Sequence, residues 1–405
     1  MINRARLQQT IEELASIGVT QDGGITRYAY TSTEQKANAY VQQLMDTIGL
    51  KTYYDAVGNL IGELPSLKSL PSIVLGSHID TVPNGGKYDG ALGVLSAIEV
   101  VASIVEHQIE LHHPIKIIAF KDEEGARFHF GMIGSRAAAG TLEAHDLDRV
   151  DADGITLKEA MYAQGFTPHF MHDAVLNHVH CYLELHIEQG KVLENAQASV
   201  GVVSGIAGPL WKQYRITGIA EHAGATPMNQ RHDPLVASSL IITRIEQLAL
   251  QYEQAVATVG QLTVKPNGVN VIPNEVTFTV DIRNIDEQKR AELEHQIDYY
   301  VKDVVKKRDL QVDIQTLQRV PSALCDATIQ STMRNALKKL SKPVVTLPSG
   351  AGHDAMQFNG LFPIGMLFVR SKDGISHNPL EYSSIEDIED GANALFETIT
   401  LLDQT

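Results

Sequence analysis

Apolar and polar positions along this chain follow two rhythms. Up to about residue 208 the apolar positions cluster in short unbroken runs: Ile73-Val74-Leu75, Ile115-Lys116-Ile117-Ile118-Ala119-Phe120 and Tyr182-Leu183-Glu184-Leu185. Such runs predict strands of a sheet covered on both faces. Ala91 to Val101 has the length and spacing of a helix packed on that sheet, and the start, MINRARLQQTIEELA, reads as an amphipathic helix. From about Ile206 the rhythm changes. Trp211 to Ile219 and Val276 to Arg283 alternate apolar and polar as half-buried antiparallel strands do, and each precedes a long helical pattern, Leu235 to Tyr252 and Asp286 to about Arg308. After Pro321 the first rhythm returns, with a strand at Ile364 to Val369 and a closing helix from about Ile385. The expected fold class is α/β: a central sheet flanked by helices over 1–208 and 322–405, with an α+β domain inserted over 209–321.

Length and charge narrow the field. A chain of 405 residues suits about two domains. The formal charge of −16 excludes a nucleic-acid surface, which needs clustered Lys and Arg, but leaves room for a small anionic substrate held by a local arginine. No apolar window is long enough for a membrane span, and the first residues lack the apolar stretch of a signal peptide. Cys181 and Cys325, the only cysteines, sit in apolar surroundings and read as buried free thiols, which points to the cytoplasm.

In open α/β sheets ligands gather beyond the carboxyl ends of the strands. Each expected strand end carries suitable chemistry. The stretch GSHIDTVPNGGKYDG follows Ile73 to Leu75 and brings His78, Asp80 and Asp89. Asp122, Glu123 and Glu124 follow Phe120; His186, Glu188 and Gln189 end or follow the third run; and Gly374-Ile375-Ser376-His377-Asn378-Pro379 follows Val369. Taken alone, His-x-Asp suits a surface turn and Glu-Glu a solvated loop. Together they have the composition of a mixed nitrogen and oxygen metal site, with enough ligands for two ions sharing a carboxylate. Other histidines read as bland: His112 and His113 as solvated, His129 as packed, and His172, His178 and His180 as part of a polar connection.

The chain resembles the hydantoinase/carbamoylase family of binuclear metal amidohydrolases, relatives of the co-catalytic zinc aminoacylases and carboxypeptidases. The motifs that carry the resemblance run nearly end to end: GSHIDTVPNGGKYDG, FKDEEGARFHFGMIGSRAAAG, ELHIEQGKVLE, AEHAGATPM, GVNVIPNEVTFTVDIRN, PSGAGHDAM and DGISHNP. The resemblance implies an aminopeptidase-like catalytic domain and an inserted lid and dimerisation domain. It implies two divalent metal ions per subunit (Zn, Mn, Co or Ni), with Asp89 bridging, His78 and His186 completing one site, and Glu124 and His377 the other.

On the same resemblance, Asp80 orients His78, Glu123 is the general base and His222 steadies the developing oxyanion. Gln189, His222, Asn270, Arg283 and the Gly350-Ala351-Gly352 loop contact the substrate. Arg283 fits such a role physically, because a guanidinium grips a carboxylate with two parallel hydrogen bonds. Peptidase relatives typically carry a carboxylate where His186 stands, which favours ureido substrates. The implied activity is hydrolysis of the carbamoyl C–N bond of N-carbamoyl-L-amino acids, in a cytoplasmic homodimer. Allantoate, β-ureidopropionate and dipeptide hydrolysis, and non-catalytic binding of amino-acid derivatives, remain as alternatives.

Overall fold

The structure, a computed structural model, describes residues 2–66 and 68–404. The chain forms two compact units, Met1–Gly205 with Leu324–Thr405, and Ile206–Ala323. The change of rhythm read at 208/209 and 321/322 thus falls at 205/206 and 323/324.

The first unit begins with α1 (Arg4–Ala15), α2 (Ser32–Thr47), the hairpin β1 (Lys51–Tyr54) and β2 (Leu60–Leu64), and then β3 (Ser72–His78), α3 (Ala91–Glu106) and β4 (Ile115–Phe120). It continues through α4 (Ile133–Ala139), α5 (Leu157–Ala163), β5 (Val179–Ile187), α6 (Val192–Asn195) and β6 (Val200–Ile206). The second unit holds β7 (Leu210–Thr217), β8 (Glu221–His222), α7 (Pro234–Ala249), β9 (Val256–Thr258), β10 (Leu262–Lys265), β11 (Val271–Ile272), β12 (Glu275–Arg283), α8 (Glu287–Lys307) and β13 (Gln311–Arg319). The chain returns with β14 (Ala323–Leu324), α9 (Ala327–Lys339), β15 (Val345–Ser349), β16 (Ile364–Val369) and α10 (Ile385–Leu402).

The central sheet has the order β1-β2-β4-β3-β5-β16-β6-β14, with β15 beside β6. Its middle strands β4, β3, β5 and β16 are parallel, whereas β2 and β6 flank them antiparallel. Register decides what the sheet can do. His78 pairs with Phe120 across β3 and β4, and Phe368 with His186 across β16 and β5, so the carboxyl ends of four neighbouring strands finish at one edge. The unbroken apolar runs are buried, Lys116 in β4 alone among them being partly exposed, as strands covered on both faces require.

Helix α3 is buried almost all round, from Ala91 to Ile104. It starts at Gly90, whose backbone has φ 62°, and a side chain there would run into the His78 ring. Glycine is therefore required twice over, by conformation and by space. Just past β16, Arg370 makes a two-pronged ion pair with Asp387 in the first turn of α10, Nε to Oδ2 and Nη2 to Oδ1, each at 3.0 Å.

The second unit is a twisted antiparallel sheet, β10-β12-β7-β13 with β9 also on β12. Strand β12 alternates strictly, burying Val276, Phe278, Val280 and Ile282 with residues of α7 and α8 in one core. A separate ribbon pairs β8 with β11, His222 facing Val271.

Arg27 anchors the loop that leaves β3. It is fully buried, its Nε donates to the Ile79 carbonyl at 2.8 Å, and its Nη1 donates to the Leu14 and Ile17 carbonyls, each at 3.0 Å. Arg27→Met would leave three carbonyls, two of them buried and one partly buried, without this donor, and the expected net cost is about 3 kcal/mol. Calorimetry should show a clearly lower melting temperature for the variant; a shift of less than about one degree would remove Arg27 from this role.

Candidate metal centre

The four strand ends converge on Asp89. Its Oδ1 lies 3.1 Å from His186 Nε2 and 3.7 Å from His78 Nε2, and its Oδ2 lies 3.1 Å from His377 Nε2. Glu124 Oε1 is 3.5 Å from the same His377 nitrogen. Two ligand groups result, His78–Asp89–His186 and Asp89–Glu124–His377, joined at one carboxylate whose two oxygens face different partners.

Hydrogen bonds set the ring tautomers. His78 Nδ1 is 3.1 Å from the Asp80 carbonyl and His186 Nδ1 is 3.0 Å from the Ile187 carbonyl. A carbonyl only accepts, so both rings carry a proton on Nδ1 and direct Nε2 at Asp89, the nitrogen a metal ion would take. The orienting role expected of Asp80 is thus taken chiefly by its carbonyl. Its carboxylate, 3.6 Å from His78 Nδ1, accepts from the backbone N–H groups of Glu123 and Glu124, each at 3.2 Å, and so fixes the turn that carries both acids. Glu123 Oε2 ends 3.7 Å from His78 Nε2, outside the two groups joined at Asp89.

The electrostatics are those of a cation site. Burial works against a charged Asp89, but hydrogen bonds with His186 and His377 hold its carboxyl well below the usual range. Burial also opposes charge on His78, which Glu123, Asp80 and Asp89 nonetheless raise well above normal. His377 is pushed up to about 9, first by its hydrogen bond to Asp89. Burial raises Glu123 well above the ordinary value, with Glu124 adding to it, and burial with Asp89 raises Glu124 to about 7. Carboxylates crowded in a dry pocket with imidazoles as their neighbours hold protons that a divalent ion would displace. The donor set, neutral imidazole nitrogens plus carboxylate oxygens, fits such ions.

The remaining expected residues fall in three places. Gln189, at φ 58°, sends its Nε2 to within 2.9 Å of Asp89 Oδ2, inside the ligand cluster. The Gly350-Ala351-Gly352 loop leaves β15 and reaches the Glu123 turn through Met132: a side-chain carbon at Gly352 would meet the Met132 methyl at 2.8 Å, and Met132 N donates to the Glu123 carbonyl at 3.0 Å. His222, Asn270 and Arg283 lie in the second unit. Ala223 N donates to the Asn270 carbonyl at 3.0 Å, which sets Asn270 beside the His222 turn. Arg283 makes a two-pronged pair with Asp281 on its own strand, Nε to Oδ1 at 3.0 Å and Nη2 to Oδ2 at 2.8 Å.

Some readings need correction. His113 is buried, not solvated: its ring centroid lies 4.3 Å from that of His180, the planes tilted by 32°, and its Nδ1 lies 2.7 Å from the Pro71 carbonyl. His129 is exposed, not packed, because a left-handed backbone at φ 53° turns it outward. Glu188 accepts the Val192 and Leu193 N–H groups at 2.6 and 3.0 Å and caps α6. Sequence reasoning missed Glu184, which lies beneath the centre and accepts from Ser77 Oγ, Tyr182 Oη and Ala355 N at 3.0–3.1 Å. It also missed His353, packed 4.5 Å from His186 and depressed by burial and by that neighbour, and Asp354, raised by burial to about 8. A charged residue inside an apolar strand run was the available signal for Glu184.

Fold and centre together are those of a metallohydrolase, and the comparisons agree. The Peptidase family M20/M25/M40 matches residues 74–401, and the chain belongs to that family. The N-carbamoyl-L-amino acid amidohydrolase of Geobacillus stearothermophilus is 46% identical over 407 residues, covering 100% of both chains. The N-carbamoyl-L-amino-acid amidohydrolase of Pseudomonas sp. (strain NS671) is 40% identical over 405 residues and 98% of both. Among solved structures, an amidase of the hydantoinase/carbamoylase family from Burkholderia multivorans superposes with a TM-score of 0.94 at 33% identity, covering 100% of this chain and 98% of that one.

The raised groups give the metal-free protein a defined pH response. Glu124, at 4.5 unfolded and about 7 folded, and His377, at 6.5 unfolded and about 9 folded, both bind protons more tightly in the native state. Stability from them is full below the unfolded values and is lost as pH rises through the folded ones. The chelated protein should therefore melt at progressively lower temperature as pH rises from about 5 to about 9, and reloading with Zn or Mn should flatten or reverse the slope. A metal-free melting temperature that rose over that window would contradict this assignment.

Proposed function

We propose that the protein hydrolyses the carbamoyl C–N bond of N-carbamoyl-L-amino acids, giving the L-amino acid, ammonia and carbon dioxide. The observation that carries this reading is the placement of Glu123 at the rim of two ligand groups that share Asp89. Two divalent ions held by His78, Asp89 and His186 and by Asp89, Glu124 and His377 would polarise the ureido carbonyl and acidify water. Glu123, raised by burial, is suited to take a proton from that water and return it to the leaving nitrogen.

His222 would donate to the developing oxyanion. Its Nδ1 accepts the Gly224 and Ala225 N–H groups, each at 3.1 Å, which leaves the proton on Nε2, and the side chain is exposed. A neutral imidazole fixed as a donor serves that purpose without supplying a proton of its own. Arg283, its plane set by Asp281, would bind the substrate carboxylate beside Asn270, with Gln189 and Gly350-Ala351-Gly352 completing the contacts. The second unit would act as lid and dimerisation domain of a homodimer, with the first unit catalytic. We place the protein in the cytoplasm: Cys181 and Cys325 are buried and unpaired, and no helix among the described residues is long and apolar enough to cross a membrane.

Ammonia release from N-carbamoyl-L-amino acids, set against allantoate, β-ureidopropionate and dipeptides, tests the substrate class. Glu123→Gln should keep both metals, since the ligands are untouched, while kcat falls by roughly 10²–10⁴-fold. Near-normal turnover in a metal-replete variant would remove Glu123 from the reaction.

His222 is proposed to serve the neighbouring subunit's centre. Mixing His222→Ala subunits with Glu123→Gln subunits should restore activity, because each mixed dimer then has one site with both residues intact. Mixed dimers, verified by native mass spectrometry, that stay as inactive as their parents would place His222 in cis.

A further inference from the structure

Glu381 lies just beyond the loop that carries His377, and its side chain is buried. Its Oε1 accepts the backbone N–H groups of Tyr88 and Asp89 at 2.8 and 3.1 Å. Its Oε2 accepts from Ser376 Oγ at 2.9 Å, and the same hydroxyl lies 3.0 Å from Asp89 Oδ2. One carboxylate therefore ties together the two loops that supply Asp89 and His377. The fit leaves no slack: a side-chain carbon on Gly86 would fall on the Glu381 carboxyl group.

We propose that Glu381 is a positioning residue for the second cation, the one held by Asp89, Glu124 and His377, and this rests on the dimetal reading above. Ser376 has a single hydroxyl proton and two carboxylates within reach. With Oε1 already taken by the two backbone N–H groups, Oε2 of Glu381 faces Ser376 as an acceptor, so it can hold that proton on its own side and leave Asp89 Oδ2 available to an ion. An amide at 381 could still accept the two N–H groups through its oxygen, but its NH₂ would point at Ser376 Oγ. The hydroxyl would then turn its proton onto Asp89 Oδ2 and compete with the ion there. The first group, which uses Asp89 Oδ1, would be far less affected.

Titration of metal-stripped protein with Co(II), followed by visible absorption and calorimetry, separates these sites. Wild type is expected to take two equivalents. Glu381→Gln should bind one equivalent normally and the second at least about tenfold more weakly, as loss of a ligand-orienting partner typically does. Gly86→Ala, which displaces Glu381 without changing its chemistry, should reproduce that selective loss with no other change to the acid. Two equivalents of wild-type affinity in both variants would overturn the role of Glu381 while leaving the dimetal reading in place. Equal weakening of both equivalents would also overturn it, by showing a general loss of structure. A single equivalent in wild type would instead overturn the dimetal reading itself.

Discussion

Asp89 places a carboxylate where water is scarce and asks each of its oxygens to serve a different set of partners, and the architecture of the first unit follows from meeting that demand. An isolated buried carboxylate would take up a proton. Here it stays ionised, because imidazoles reach it from the ends of β3 and β5 and from the loop after β16, and Gln189 donates to the oxygen that faces His377. Around it stand Glu123 and Glu124, which burial pushes towards neutrality. Nearby acids that differ this much in proton affinity are what a site needs if one group is to stay charged as a ligand while another trades protons.

Parallel register is what makes the gathering possible. Strands that finish at one edge deliver short loops to one place, and glycine at position 90 lets α3 begin against the His78 ring without displacing it. The carbonyls of Asp80 and Ile187 then choose the imidazole tautomers, so ligand geometry is set by main chain as much as by side chain. This has a consequence for tolerance to change: substitutions that shift those two carbonyls should be felt at the centre even though they alter no ligand.

Much of the centre was legible because it obeys local rules. His78, Asp89, Glu123, Glu124, His186 and His377 all sit at or just past runs whose period marks them as strands, and the structure brings them together. What stayed hidden depends on contacts between residues far apart in sequence. Glu381 pairs with the backbone of Tyr88 and Asp89, nearly 300 positions away, and nothing in Asn378-Pro379-Leu380-Glu381 announces it. His353 follows the Gly350-Ala351-Gly352 loop but packs against His186, and His113 is buried against partners distant in sequence, His180, Pro71 and Asp403. In the second unit the alternation of β12 gave the strand and the face of Arg283, whereas the Asp281 pairing is a rotamer choice that periodicity does not encode.

On the proposed reading, Asp89 would join two cations through its two oxygens. Electron paramagnetic resonance of the metal-stripped protein reloaded with two equivalents of Mn(II) tests it most directly, because ions bridged by a carboxylate couple magnetically whereas separate ions do not. The expected spectrum at full loading is that of a coupled pair, with Asp89→Asn collapsing it to isolated ions. A fully loaded wild type showing only the six-line signal of uncoupled Mn(II) would contradict the account.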